Sequence, residues 1–194
     1  YFRVSVIDSS YLIPGGVYKV TLTDSNGNII YEESGLSIEE YNRKFEFDRD
    51  EYNLVDGESY TFKVTINADY GNDTTDFETI NSSRTIKFGT DIYLGTIALS
   101  YNGANSINMI FTNSYQLSEI DKISYTITND VTGFVLNATK AFNVRFDSTT
   151  NAYYYTIDID DENFDPKLLY TITVNFYVGN ELVENVELAY CSSC

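Results

Sequence analysis

Apolar and polar residues alternate along most of this chain. Tyr18, Val20 and Leu22 share one parity while Lys19, Thr21 and Thr23 share the other, the period-2 signature of a half-buried strand. Ile107-Met109-Phe111 and Ile123-Tyr125-Ile127 repeat it, as do runs at Phe2-Val4-Val6, at Phe45 and Phe47, and over 84–88, 153–159, 170–177 and 182–190. Turn residues punctuate these runs at Pro14-Gly15-Gly16, 71–76, Thr132-Gly133 and Gly179-Asn180. Asn26-Gly27 lies between two alternating segments and predicts a tight hairpin joining 17–24 to 29–31. Ser37 with Glu40 three residues on has the capping-box spacing and predicts a short helical turn over 37–41. The remaining predicted elements are strands.

The pattern repeats over a longer range. Leu54-Val55-Asp56-Gly57-Glu58-Ser59-Tyr60 leads into alternating Phe62, Val64 and Ile66. Phe164-Asp165-Pro166-Lys167-Leu168-Leu169-Tyr170 leads into Ile172, Val174 and Phe176, 110 residues later and without a gap. An apolar anchor, a turn carrying Gly or Pro, and a Tyr six residues after the anchor thus occur twice in register. This predicts two copies of one β-sandwich module, over 1–90 and 91–194, each near the size of one such domain. The bridge carries Ile92, Leu94, Ile97 and Leu99 and is expected to form the first strand of the second module. No equivalent strand precedes Phe2 in the first. Either the chain was cut there, or a strand from upstream or from another subunit pairs with Phe2, Val4 and Val6. The chain begins at Tyr1 rather than Met, which suits a processed product or a piece of a longer protein.

Composition narrows the function classes. Apolar residues make up 43% of the 194, enough for packed cores, with 18 Tyr and 12 Phe but no Trp. Asp and Glu number 29 against 12 Lys and Arg, a net charge of −17. The excess is spread evenly, at −9 over 1–94 and −8 over 95–194. Such a surface repels phosphate backbones and anionic lipids, which argues against nucleic-acid binding. No apolar run approaches the ~20 residues of a membrane helix, so membrane insertion is not expected.

The corner Leu54, Gly57, Tyr60 and its copy Phe164, Pro166, Tyr170 resemble the E–F crossing of fibronectin type III and related immunoglobulin-like domains. The fold this implies is all-β, with two tandem immunoglobulin-like (fibronectin III-like) β-sandwich domains. The resemblance implies that the Tyr ring packs in the core while its hydroxyl reaches back to the turn backbone. It also implies a scaffold for spacing, adhesion and assembly with other protein subunits, on cell surfaces, in extracellular fibres or in phage appendages. The sequence departs from the family by lacking a core Trp, whose space falls to residues such as Phe2 and Met109, and it has no Arg-Gly-Asp. Surface adhesins of this fold class can form Lys–Asn isopeptide bonds, but Lys19 and Lys63 alternate outward.

Candidate chemistry is sparse. The chain has no His, so it holds no Ser-His-Asp or Cys-His pair, and no Gly-rich phosphate loop appears. No catalytic activity and no resident cofactor are expected. The best metal reading is calcium at Asp48, Asp50 and Glu51 or at Asp158, Asp160, Asp161 and Glu162, which precede the two corners. Asp158 and Asp160 alternate with Ile157 and Ile159, so the opposing reading is an ordinary solvent face. Asp24 to Asn28 resembles the start of a calcium loop, yet the hairpin accounts for it. Cys191 and Cys194 are the chain's only thiols; without further ligands they suit a local disulfide or a cross-link better than zinc. Asn72, Asn81 and Asn137 match the glycosylation acceptor pattern, the first two in loop-like sequence. Tyr18, Tyr60, Tyr125 and Tyr170 point inward. Tyr31, Tyr70, Tyr101, Tyr115, Tyr177 and Tyr190 are candidates for exposure. Exposed Tyr and acidic loops leave a carbohydrate-binding module as the alternative to a structural one.

Overall fold

The structure, a computed structural model, describes residues 2–5, 17–37, 43–69, 77–103 and 105–192. Val6, Tyr70 and the turns expected at 14–16 and 71–76 lie outside them. The chain divides into two compact units, Tyr1–Gly89 and Thr90–Cys194.

The first unit contains β1 (Phe2–Ser5), β2 (Val17–Thr23), β3 (Ile29–Ser37), β4 (Lys44–Phe47), α1 (Arg49–Tyr52), β5 (Ser59–Asp69) and β6 (Phe77–Lys87). β6, β5, β2 and β3 lie side by side in that order, all antiparallel, and β1 pairs with β4. The register follows the alternation: Val20 lies opposite Val64 and Leu22 opposite Phe62. These side chains and Tyr18 face a core completed by Phe45 and Phe47 of β4, Leu54, Tyr60 and Phe88. In place of a Trp the core holds aromatic rings packed edge to face. Tyr31 lies 5.4 Å from Phe47 at 70°, and Tyr52 lies 5.2 Å from Phe47 at 79°, arrangements that add about 0.5–1.5 kcal/mol per pair beyond area burial.

Two expectations for this unit are corrected. Ser37 closes β3 instead of capping a helix; residues 38–41 lie outside the described set. The helical turn is α1, whose N-cap is Asp48, with its Oδ1 accepting from the Asp50 N–H at 2.9 Å and from the Glu51 N–H at 3.4 Å. Asp50 and Glu51 then sit in the first turn, where the exposed N–H groups favour acid. The closing strand also begins at Phe77, well before the alternating run at 84–88, because polar Asn81, Ser82 and Ser83 pair with β5 in the ladder.

The second unit contains β7 (Thr96–Tyr101), β8 (Ser106–Thr112), β9 (Lys122–Asn129), β10 (Phe134–Ala141), β11 (Arg145–Asp147), β12 (Ala152–Asp158), β13 (Tyr170–Val178) and β14 (Glu181–Tyr190). One sheet runs β11-β12-β8-β7 and the other β10-β9-β13-β14. Ile107, Met109 and Phe111 of β8 meet Ile123 and Ile127 of β9 and Ile172, Val174 and Phe176 of β13 in one core, each with no exposed area. The fully buried Met109 lies in this core with Phe111, Phe142 and Phe176.

The two units share one plan. β4, β5, β6, β2 and β3 correspond to β12, β13, β14, β9 and β10, and β1 corresponds to β8. This strand order is that of an immunoglobulin-like sandwich, with the short β11 added at one edge. The chain therefore forms two tandem immunoglobulin-like, fibronectin III-like domains. Among the described residues, β7 and β11 have no counterpart in the first unit.

Candidate functional site

Both corners are built alike. The Tyr60 hydroxyl accepts from the Val55 N–H at 2.9 Å, and the Tyr170 hydroxyl accepts from the Asp165 N–H at 3.0 Å. Each bond spans five residues and ties the start of the turn to the first residue or two of the following strand. The rings are buried, Tyr60 against Phe88 at 6.1 Å and Tyr170 against Phe164 at 4.7 Å. Burial raises the Tyr170 phenol above its usual range, with the Asp165 N–H opposing. Gly57 supplies the left-handed backbone of the first turn at φ 86°. The second turn uses Pro166 instead, and its carbonyl accepts from both the Ser192 N–H at 3.0 Å and the Ser192 hydroxyl at 2.6 Å. This anchors the end of the last strand on the corner. Cys191 beside it is buried and disulfide-bonded; Cys194 lies outside the described residues. The Cys191 sulfur is 3.3 Å from the Lys167 carbonyl, a close contact rather than a hydrogen bond, since a disulfide sulfur carries no proton.

The acidic segments do not converge. Asp48 is committed to its cap, with Asp50 and Glu51 behind it. Asp158 ends β12 on the solvent face, while Ile157 and Ile159 turn into the core. Asp161 accepts from the Asn163 N–H at 2.9 Å and so shapes its own turn; Asp160 is exposed. Among the described residues no three acidic or thiol side chains are placed to hold one ion. Asp24 likewise serves its hairpin: it accepts from the Asn26 and Asn28 N–H groups at 2.9 and 2.8 Å and from the Asn28 amide at 2.8 Å. These bonds, that of the Asn28 side chain first, hold its carboxyl below the usual range.

Other sequence-selected residues divide. Tyr190 is a correction: it is 2% exposed, because its parity on β14 points it into the core. Tyr31 is half-buried and 5.4 Å from Phe47, while Tyr101 and Tyr115 are exposed. Burial, helped by Glu33, pushes the Tyr31 phenol up to about 12. Asn81 is also corrected: it lies within β6, where its side-chain oxygen accepts from Thr65 at 3.0 Å, not in a loop. Asn137 is exposed on β10; Asn72 lies outside the described residues. Lys19 pairs with Glu32 at 2.7 Å and Lys63 is exposed on β5, so neither enters the core.

Sequence reading missed an open groove of ≈ 510 Å³ in the second unit, where the end of β10 passes β11 and β12. Lys140, Asn143, Arg145, Tyr154, Tyr155 and Thr156 line it. The Arg145 guanidinium lies over the Tyr154 ring at 5.5 Å, and Thr156 donates to Asn108 at 2.8 Å. Below it, Tyr155 stacks on Phe142 at 5.4 Å; burial, then Tyr125 and Asp158, pushes its phenol up to about 12. Only the small number of cations in this half of the sequence hinted at the site.

No protein family's sequence profile matches the chain, and no curated protein matches it in sequence. Solved structures do match. A two-fibronectin type-III domain segment from chicken tenascin aligns at 14% identity and a TM-score of 0.35, covering 97% of this chain and all of that one. An FMN-binding beta-glucuronidase from Facaelibacterium prausnitzii L2-6 aligns at 15% identity and a TM-score of 0.31, covering 96% of this chain but 31% of that one. Strand order, register and the two Tyr corners define the fold of each unit.

Proposed function

We propose that this chain is a non-enzymatic structural or adhesive module of an extracellular or virion-surface assembly, such as a phage appendage or a bacterial surface fibre. The observation that carries this reading is the tandem repetition of a sandwich whose polar groups are spent on holding its own turns. The Tyr60 and Tyr170 hydroxyls, Asp24, Asp48 and Asp161 all bond nearby backbone. Such modules separate and present surfaces, and function resides in loops and edges. The disulfide at Cys191 suits an oxidising compartment.

The edge of β1 supports a further element of the reading. β8 is flanked by both β12 and β7, whereas β1, its counterpart, pairs among the described residues with β4 alone. A strand supplied by a neighbouring subunit would complete that sheet. The reading is tested by immunogold labelling of intact source cells and virions with antibodies raised against the folded chain, alongside protease shaving. Surface labelling lost on shaving is expected. Confinement of the protein to the cytoplasmic fraction would refute the proposal.

A further inference from the structure

The second unit is short of positive charge, and what it has is gathered in one place. Residues 90–194 hold 13 acidic and four basic side chains. Three of the four, Lys122, Lys140 and Arg145, line two open grooves of ≈ 510 and ≈ 460 Å³ that share Lys140 and Ala141. In the first unit, Lys19, Arg43 and Arg49 are paired with Glu32, Glu33 and Asp56. No ion pair among the described residues engages Lys140 or Arg145, though acids outnumber bases over residues 90–194. Among the described residues no carboxylate lines the larger groove. The smaller one includes Asp121, whose Oδ2 accepts from the Gly179 N–H at 3.0 Å. Two cations left without carboxylate partners on the wall of a concave surface are positioned to receive an anion from outside.

The rest of the lining narrows the anion's class. Asn143 offers an amide that can both donate and accept. Thr156 spends its proton on Asn108, which leaves its oxygen as an acceptor. The Tyr154 hydroxyl donates to Thr150 at 3.1 Å, so its oxygen also remains free to accept. The Tyr154 ring backs the Arg145 guanidinium at 5.5 Å on the same wall. This combination of a cation held over an aromatic ring, a second cation and hydroxyl-directed hydrogen bonds suits a ring bearing both hydroxyls and an acid. The net charge of −17 disfavours a long polyanion or a second copy of this chain, both of which meet repulsion beyond the groove. A single acid is screened from those distant charges, since the Debye length is about 8 Å at physiological salt.

We propose that the groove binds a carboxylate-bearing sugar residue of the uronic acid class. Lys140 and Arg145, the latter seated over the Tyr154 ring, hold the carboxylate, and Asn143 and Thr156 take ring hydroxyls. This goes beyond the structural reading and does not depend on it: a surface module lacking this site remains a surface module, and the two experiments can fail separately. Affinity for one residue is expected on the order of 1 mM, because exposed ion pairs each contribute little.

The test is a titration of the isotope-labelled 194-residue chain, followed by NMR, with methyl galacturonide, neutral methyl galactoside, acetate and a triglutamate peptide. Methyl galacturonide is expected to shift the amides of Lys140, Asn143, Arg145 and Thr156. It should bind at least about tenfold more tightly than the other three probes, and more weakly as salt rises. The double variant Lys140→Gln, Arg145→Gln should lose about tenfold in affinity while its circular dichroism stays unchanged, as both side chains are exposed. Lys63→Gln, on β5 of the first unit, should bind as the parent does. Equal binding of the neutral sugar would overturn acid recognition, and equal binding of acetate or triglutamate would overturn the sugar assignment. Shifts elsewhere, no shifts up to about 20 mM, or unchanged affinity in the double variant would overturn the site.

Discussion

Replacing Tyr170 by Phe removes one oxygen from a ring that is 1% exposed and leaves the ring's packing on Phe134 and Phe164, at 5.5 and 4.7 Å, in place. The atom lost is the acceptor for the Asp165 N–H at 3.0 Å. A net intramolecular hydrogen bond contributes about 0.5–1.5 kcal/mol, and a buried donor left unpaired costs about 1–3 kcal/mol. The bond is only part-buried and Asp165 is exposed, so the smaller range applies: about 1 kcal/mol. For a domain of roughly 100 residues that lowers the melting temperature by about 4–8 °C. Tyr170→Ala removes the ring as well, and large aromatic truncations in cores cost about 3–5 kcal/mol. Differential scanning calorimetry of both variants separates hydroxyl from ring, and amide exchange locates the effect. Exchange at Asp165 should quicken in Tyr170→Phe while exchange at Val55, held by Tyr60, stays unchanged. An unaltered melting temperature with unaltered exchange at Asp165 would refute the pinning role. So would a Phe variant as damaged as the Ala one.

Two further outcomes follow from named positions. Gly95→Ala would place a Cβ 2.0 Å from the Thr112 carbonyl oxygen, at φ +70°; left-handed strain of about 1–2 kcal/mol plus overpacking of about 1–3 kcal/mol predicts a loss of about 2–5 kcal/mol in urea unfolding. Gly133→Ala, at φ +73° with nothing within 4 Å, should show the strain alone, and equal losses would refute the steric argument. Alkali should also destabilise the fold. The Tyr31 and Tyr155 phenols are raised to about 12 in the fold, so the native state keeps protons that the unfolded state loses near pH 10. Stability is therefore full below about pH 10 and falls as pH rises toward 12. A denaturant midpoint that stayed flat from pH 9 to about 12 would contradict this.

Legibility in the sequence tracked how local each determinant was. Ile107, Met109 and Phe111 announce a strand face through parity alone, and all three are fully buried. The corners are readable because anchor, turn and Tyr lie within seven residues. β11, three residues long, gives no periodic signal; it forms because Arg145, Phe146 and Asp147 find β12 as a partner. α1 was hidden because Asp48 and Asp50 read equally well as metal ligands, and only the backbone shows that the carboxylate caps a turn. The groove was the least accessible. Lys140 and Tyr154 are separated by an intervening crossing, and nothing short of the strand layout puts them on one wall.

The corner shares only its anchor position and its Tyr between the two copies. Between anchor and Tyr, one copy reads Val-Asp-Gly-Glu-Ser and the other Asp-Pro-Lys-Leu-Leu, and both end in the same bond from hydroxyl to backbone. The two spellings differ at all five positions, and each has its own local duty, the left-handed Gly57 in one and the Pro166 carbonyl under Ser192 in the other. One crossing between sheets is thus reached by two different turns, because anchor and Tyr alone are common to both. What marks such a corner is therefore the paired anchor and tyrosine at fixed spacing, with the bond that joins hydroxyl to backbone, and not the letters between them.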